Sequence, residues 1–395
     1  MSREPEWARW EADPTRPAWT VGIEEEVMLL DPDRWALAYR LDDVLPVLSS
    51  ALARKMSSET HSCTLELAGG VHTGIRAAVS ELAGLRAKLA EELAPLGLRA
   101  AAAGTHPFAQ GEDTEISGGE RYQLLFEKMR ELARREPTFA LHVHVGVPDP
   151  ELAIRAADRL RAHLPLILAA SGNSPYWRGR DTGMASFRTP LFQGFPRSGV
   201  PRRFGSYGAY ADAVDVMIRA DVFPEPTFIW WDVRVQPRLG TVEVRIADAQ
   251  TTMGATASIA ALIQALVRLE ATEGHAAPEL VGAQEVLEEN RFIAARDGMD
   301  ARLVDVATAL QVPVRGQLEE LLAACSPHAE DLGSGAELEQ LRALMRSPGY
   351  ARQRATVQEA GLSGLVESLA SAFVEEVSGT PAPAETAGSR ARDSR

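Results

Sequence analysis

Short stretches of the chain alternate apolar and polar residues with a period of two, the pattern of strands with one buried and one wet face. They fall at residues 21–30, 63–67, 98–103, 139–147, 230–236 and 241–247. Between them, apolar residues recur at helical spacing over 77–96, 152–170, 253–273, 303–324 and 337–346. Because the strands alternate rather than run continuously apolar, an antiparallel sheet is expected, not a doubly wound parallel one. The fold class is therefore α+β: helices pack on one face of the sheet and the other face stays polar. Residues 19–375 read as one domain, mainly helical from about residue 275. The Pro-punctuated residues 1–18 suggest a flexible N-terminal arm, and the small-residue stretch 379–395 a disordered tail.

Composition narrows the function. With 395 residues, 45% of them hydrophobic, the chain can bury a sizeable core. A formal net charge of −14 argues against nucleic acid and against an anionic membrane surface as partners. There is no apolar run of about 18 residues and no basic-then-apolar leader, so a cytoplasmic protein is expected. Cys63 and Cys325 make neither a disulfide framework nor a zinc site. The only lysines are Lys55, Lys88 and Lys128, and none follows a glycine-rich loop. A phosphate loop ending in Gly-Lys is thus excluded, and any bound triphosphate must be held by metal and arginine.

The polar faces of the strands carry unusual chemistry. Glu24, Glu25 and Glu26 interrupt an otherwise apolar run, with Glu24 and Glu26 on one face and Glu25 on the other. Thr64 and Glu66, His142 and His144, Asp232 with Arg234 and Gln236, and Thr241 with Glu243 and Arg245 align in the same way. A wet sheet face normally carries Thr, Ser, Lys and Gln. Here it carries Glu, His, Asp and Arg, a set that suits Mg²⁺ or Mn²⁺ beside a phosphate held bidentately. His142 also reads as a structural histidine, and Asp232 as a partner that orients Arg234. Thr105 and His106, in Gly104-Thr-His-Pro-Phe108, are candidate nucleotide contacts, the alternative being an ordinary turn capped by His106. The long loop 171–188 offers Arg178, Arg180 and Arg188 as clamps for an anionic substrate.

Read in order, Gly22-Ile-Glu-Glu-Glu26, Gly104-Thr-His-Pro-Phe108, Glu120-Arg-Tyr-Gln123, His142-Val-His-Val-Gly146 and Ser174-Pro-Tyr176 form a recognisable series. Phe187-Arg188, Trp231-Asp-Val-Arg234, Gly240-Thr-Val-Glu-Val-Arg245 and Asn290-Arg-Phe292 continue it. Over residues 19 to about 375 the chain resembles the carboxylate–amine ligases of the glutamate–cysteine ligase type 2 family. The resemblance implies a glutamine-synthetase-like curved antiparallel sheet with helices on its outer face. It implies ATP, Mg²⁺ (or Mn²⁺), and an amide formed through an acyl phosphate. The expected substrates are glutamate and an amine such as cysteine, with weak glutamate–cysteine ligase activity.

Carried over by motif, Glu24, Glu26, Glu66, His144 and Glu243 resemble the family's metal ligands, with Glu59 a further candidate. Arg234 and Arg245 resemble its phosphate-binding and catalytic arginines, and Arg188 and Tyr122 its substrate contacts. His142 is the candidate acid or base, and a homo-oligomer, a dimer, is expected. Two departures stand out: Glu25 replaces an apolar residue, and Asp297 stands where an aromatic is expected. A phosphotransferase of the same fold, or a non-catalytic metal- and nucleotide-binding protein, would use the same polar face.

Overall fold

A computed structural model describes residues 5–111, 114–135 and 137–375. In chain order its strands are β1 (Val21–Asp31), β2 (Ala36–Leu37), β3 (Met56–Ser58), β4 (Thr64–Ala68), β5 (Arg99–Ala101), β6 (Ala140–Gly146), β7 (Tyr176–Trp177), β8 (Arg180–Asp181), β9 (Ser198–Gly199), β10 (Trp230–Trp231), β11 (Val233–Gln236), β12 (Thr241–Asp248), β13 (Arg302–Asp305) and β14 (Leu310–Pro313). The main sheet runs β11-β12-β6-β1-β4-β3, with β2 and β5 also paired to β1. All of its pairings are antiparallel. An α+β architecture follows, as the alternation predicts.

The apolar face of this sheet is the core. Ile23 and Val27 of β1, Leu65 and Leu67 of β4, Val143 and Val145 of β6, and Val242 and Val244 of β12 are all buried. Each such side chain contributes roughly 1.5–3 kcal/mol by leaving water. Helices Ile75–Leu93 and Met253–Thr272 are among the elements that cover the face. The second starts where Thr252 caps it, accepting a hydrogen bond from Ala255 N at 3.3 Å. This helix is long and apolar enough to cross a membrane, but nearly all of its residues are buried inside the protein, as befits a core helix.

Several sequence expectations are corrected. The helix expected over 152–170 is two, Pro150–Leu160 and Leu164–Ser171, because Pro165 starts a new helix better than it continues one. The helix expected over 303–324 begins only at Val314, after the β13–β14 hairpin. There Asp305 Oδ1 accepts from Thr308 N at 2.7 Å, a side-chain turn that competes with helix. The strand expected over 230–236 breaks at Asp232, and β10 leaves the main sheet to pair in parallel with β9.

Residues 5–18 are not a loose arm. Ala8 is fully buried and its carbonyl accepts from the Tyr207 hydroxyl. Trp10 Nε1 donates to Val147 O at 3.0 Å, and Glu11 N to Pro237 O at 2.8 Å. Two tryptophans three residues apart provide enough apolar surface to anchor a segment that its prolines make look like a linker. Residues 1–4 and the tail 379–395 lie outside the described residues.

Candidate active site

Strand register assembles the site. Glu24 of β1 lies opposite His142 of β6, and Glu26 opposite Glu66 of β4. Glu243 of β12 lies between His144 of β6 and Arg234 of β11. One polar row therefore crosses the middle of the sheet, since residues two apart on neighbouring strands meet on one face. The register of β6 and β12 shifts between Val244 and Ala247, a bulge that contains Arg245. Arg245 N bonds instead to Asp232 O at 2.8 Å, and its Nη1 reaches both Glu243 and His142 Nδ1, the latter at 3.3 Å.

Two groups of oxygen and nitrogen atoms lie close enough to share a cation: Glu24, His142 and Glu243, and Glu26, Glu66 and His142. His142 belongs to both. His144 belongs to neither, although its Nε2 lies 3.3 Å from Glu24 and 3.8 Å from Glu243. The motifs mark His144 as a ligand and His142 as an acid or base; in the structure His142 is the nitrogen common to both groups, and His144 lines the cavity above them. His142 Nε2 and His144 Nε2 are buried and make no hydrogen bond, a state that suits a metal or a substrate atom.

Electrostatics divide the carboxylates. Burial and the neighbouring Glu24, Glu59 and Glu26 charges push Glu66 well above the carboxylate range. Burial and Glu26 raise Glu59 to about 7. Burial likewise opposes charge on Glu24, but the facing His144 and the nearby His142 outweigh it, and Glu24 stays below its ordinary value. The same contest on Glu243 is won by Arg234 and Arg245, which hold it far down. Burial lowers His142, helped by Arg245, whereas Glu24 and Glu243 overcome burial to raise His144. Carboxylates that repel one another this strongly are poised to take up cations.

Glu243 is heavily engaged. Its Oε2 accepts from Arg234 Nε at 2.6 Å and from Gln236 Nε2 at 2.7 Å, while Oε1 accepts from Arg245 Nη1 and, at 3.2 Å, from Arg234 Nη2. Arg234 also donates to the carbonyl of Ile229. It is thus a strut behind Glu243, and Arg245, whose buried Nε makes no hydrogen bond, is the better placed arginine for an anion.

A cavity of about 440 Å³ opens over this face, lined by Glu24, Glu26, Glu59, Glu66, His144, Arg234, Glu243 and Arg245. Tyr122 lines it too, with its hydroxyl donating to Ser58 O. Sequence reasoning missed its aromatic wall of Phe192, Phe195 and Trp230, which no periodicity marks. It also missed Arg121 as a wall residue, although that arginine sits inside the Glu120-Arg-Tyr-Gln123 motif.

Other candidates lie elsewhere. Thr105 and His106 line neither large cavity. Both are buried: Thr105 Oγ1 donates to Tyr176 O at 2.9 Å, and His106 Nδ1 accepts from Ala109 N at 3.0 Å, so this is the capped turn. Arg178 is exposed, stacked over Trp177 with its Cζ 5.5 Å from the ring, and does not line the cavity. Arg180 is likewise exposed and outside it. Arg188 is buried behind the wall, donating to the carbonyls of Arg245 and Ile246 at 3.2 Å, and touches the cavity only through Phe192 beneath its guanidinium. Asp232 does not orient Arg234; it binds Arg291 of the Asn290-Arg-Phe292 motif, with Nε 2.5 Å from Oδ2.

Comparison with known proteins agrees with this geometry. The model of glutamate–cysteine ligase family 2 matches residues 20–370. A Rubrobacter xylanophilus protein provisionally named glutamate–cysteine ligase 2-3 is 40% identical over 360 residues, covering 90% of this chain and 97% of its own. A Sorangium cellulosum protein provisionally named glutamate–cysteine ligase 2 is 39% identical over 329 residues, 82% and 88% of the two chains. Among solved structures, a Francisella tularensis glutamate–cysteine ligase in complex with AMP superimposes with a TM-score of 0.70 at 13% identity, covering 95% of this chain and 91% of that one. A bifunctional glutathione synthetase from Pasteurella multocida gives 0.69 at 12%, covering 91% and 53%. The sheet of glutamates, histidines and arginines, the order of its motifs and the extent of these matches agree: the chain belongs to glutamate–cysteine ligase family 2.

Proposed function

We propose that the protein is an ATP-dependent carboxylate–amine ligase that joins glutamate, through an acyl phosphate, to an amine, releasing ADP and phosphate. The observation that carries this reading is the pair of three-residue groups on one sheet face, linked through His142 and flanked by Arg245. Mg²⁺ bound there would neutralise the phosphates and the entering carboxylate, which otherwise repel one another. Glu24, Glu26, Glu66, His142 and Glu243 are the residues placed to hold it, and the orphaned His142 Nε2 fits that role.

The remaining work falls to the chain's own groups. A carboxylate is a poor electrophile, and its attack on the γ-phosphorus of ATP makes an acyl phosphate with a good leaving group. Arg245, held by Glu243, faces the anionic charge that builds at that step, and Arg234 keeps Glu243 in place. The aromatic wall of Phe192, Phe195 and Trp230 suits the flat base of the nucleotide. The amine then attacks the acyl carbon and phosphate departs, with no nucleophilic side chain required. Both cysteines are buried, and burial raises each thiol to about 12, consistent with no covalent role.

The test is the dependence of phosphate release on co-substrates. With Mg²⁺, phosphate release should require both glutamate and an amine, and Glu26→Gln should abolish ADP formation while the far-ultraviolet spectrum stays native. ADP formed with one co-substrate, with phosphate retained on it, would overturn the ligase reading in favour of a phosphotransferase.

A further inference from the structure

A second cavity, of about 400 Å³, adjoins the first at the end of the sheet where β1 begins and β6 ends. Glu24, His144 and Leu239 line both cavities, so the reacting groups stand between them. The outer wall of the second cavity is the N-terminal segment from Glu11 to Ala18, held against the β11–β12 turn and the end of β6. Its floor is backbone at Gly22, Gly70 and Gly146, where a ligand meets carbonyl and amide groups rather than side chains. Gly70 is fixed from behind, its N–H donating to Glu81 Oε2 at 2.5 Å.

The two cavities differ in their supply of arginine rather than in net charge. Arg121, Arg234, Arg238 and Arg245 line the larger one beside its glutamates, and these arginines, with a cation held by the glutamates, suit the triphosphate and the carboxylates of an acyl donor. The smaller one has Glu11, Asp13 and Glu24 against a single arginine, Arg16, whose Nε lies 3.0 Å from Asp13 Oδ2. A ligand there meets an anionic wall and no arginine uncommitted to a neighbour's carboxylate. In-line transfer of a phosphoryl group also sets the nucleotide and the attacking carboxylate on opposite sides of the phosphorus, which leaves a separate approach for the amine.

Resting on the ligase reading above, we propose that the smaller cavity admits the acceptor, and that its N-terminal wall selects a primary amine, in its ammonium form, that carries no carboxylate. Glu11 is exposed, and only its backbone N–H is used in the fold, so its side chain is free to set this preference.

The experiment compares amino acids with their decarboxylated counterparts: cysteine with cysteamine, ornithine with putrescine, lysine with cadaverine. Hydroxylamine serves as a small trap for the acyl phosphate. For the wild-type protein with ATP, Mg²⁺ and glutamate, kcat/KM for the decarboxylated member of a pair should exceed that for its amino acid at least tenfold. Glu11→Lys should cut that preference about tenfold through KM for the amine, leaving KM for ATP and hydroxamate formation within twofold. An amino acid used as well as its counterpart, or Glu11→Lys acting on KM for ATP instead, would overturn the proposal. So would hydroxamate formation with no product from any decarboxylated amine, and that result would leave the ligase reading standing. Absence of hydroxamate in the wild type would overturn both.

Discussion

At the residue scale, Glu25 shows how a charge in a core strand is accommodated. The alternation places it on the apolar face, opposite its neighbours Glu24 and Glu26, where sequence offers no partner. Arg86 of helix Ile75–Leu93 supplies one: its Nε donates to Glu25 Oε2 at 2.8 Å, Nη2 donates to Oε1, and both side chains are fully buried. The same guanidinium donates to Thr251 O at 3.0 Å and Gln250 O at 2.7 Å, and lies 4.7 Å from the Phe373 ring centre. Removing one partner strands the other, so Arg86→Leu should destabilise the fold by about 3–5 kcal/mol in urea unfolding. Glu25→Leu with Arg86→Leu should recover much of that loss. A single substitution that unfolds at the wild-type midpoint would show the pair to be dispensable.

Glu81 gives a pH-dependent case. Some burial opposes its charge, but His72 at 2.7 Å, Gly70 N and Lys55 at 3.0 Å prevail and bring it down to about 2 from an ordinary 4.5. A carboxyl depressed on folding stabilises above its unfolded value, and that contribution is lost as pH falls through the folded one. Glu81→Gln should therefore cost about 1 kcal/mol at neutral pH, allowing for solvent screening. The gap between variant and wild type should close as pH falls from 4.5 toward 2. A gap that stayed constant across that range would assign the cost to lost packing instead.

At the element scale, the strands of the polar face were legible because their alternation is strict. β1, β4, β6 and β12 fall within a residue or two of expectation, and the four face carboxylates with both histidines meet as the pattern requires. What alternation cannot show is order across the sheet, so which glutamate each histidine faces, Glu24 for His142 and Glu243 for His144, depended on register. The two helices within Gly349–Glu375 escaped notice because Gly361, with φ 71° and ψ −177°, breaks the helical period between them. Thr105 and His106 misled because a motif marks that a turn matters without saying whether for ligand or for packing. The β11–β12 turn tests the arm's seating. Gly240 has φ 62°, and a Cβ there would come within 2.6 Å of Ala12 Cα. Gly240→Ala should therefore cost more than the roughly 1 kcal/mol of a strained turn alone. It should also speed proteolysis within residues 5–18, and unchanged cleavage there would show that the arm does not depend on this contact.

At the scale of the whole molecule, the acidic face should act as a folding liability that a bound cation would relieve. Glu24, Glu26, Glu59 and Glu66 share one cavity wall, and Glu59 and Glu66 are pushed up by burial and by their neighbours' charges. A ligand that binds only the folded state stabilises it by about 2.7 kcal/mol at a hundred times its Kd, which for a chain of this size moves Tm by several degrees. Mg²⁺ alone should thus raise Tm, Mg²⁺ with a non-hydrolysable ATP analogue should raise it further, and chelation should reverse both shifts. Glu66→Gln removes a mutually repelled carboxylate, so the metal-free variant should melt at or above the wild type while its response to Mg²⁺ shrinks. That opposition separates a ligand role from a structural one, because a merely structural glutamate would lower Tm when replaced and leave the response to Mg²⁺ unchanged.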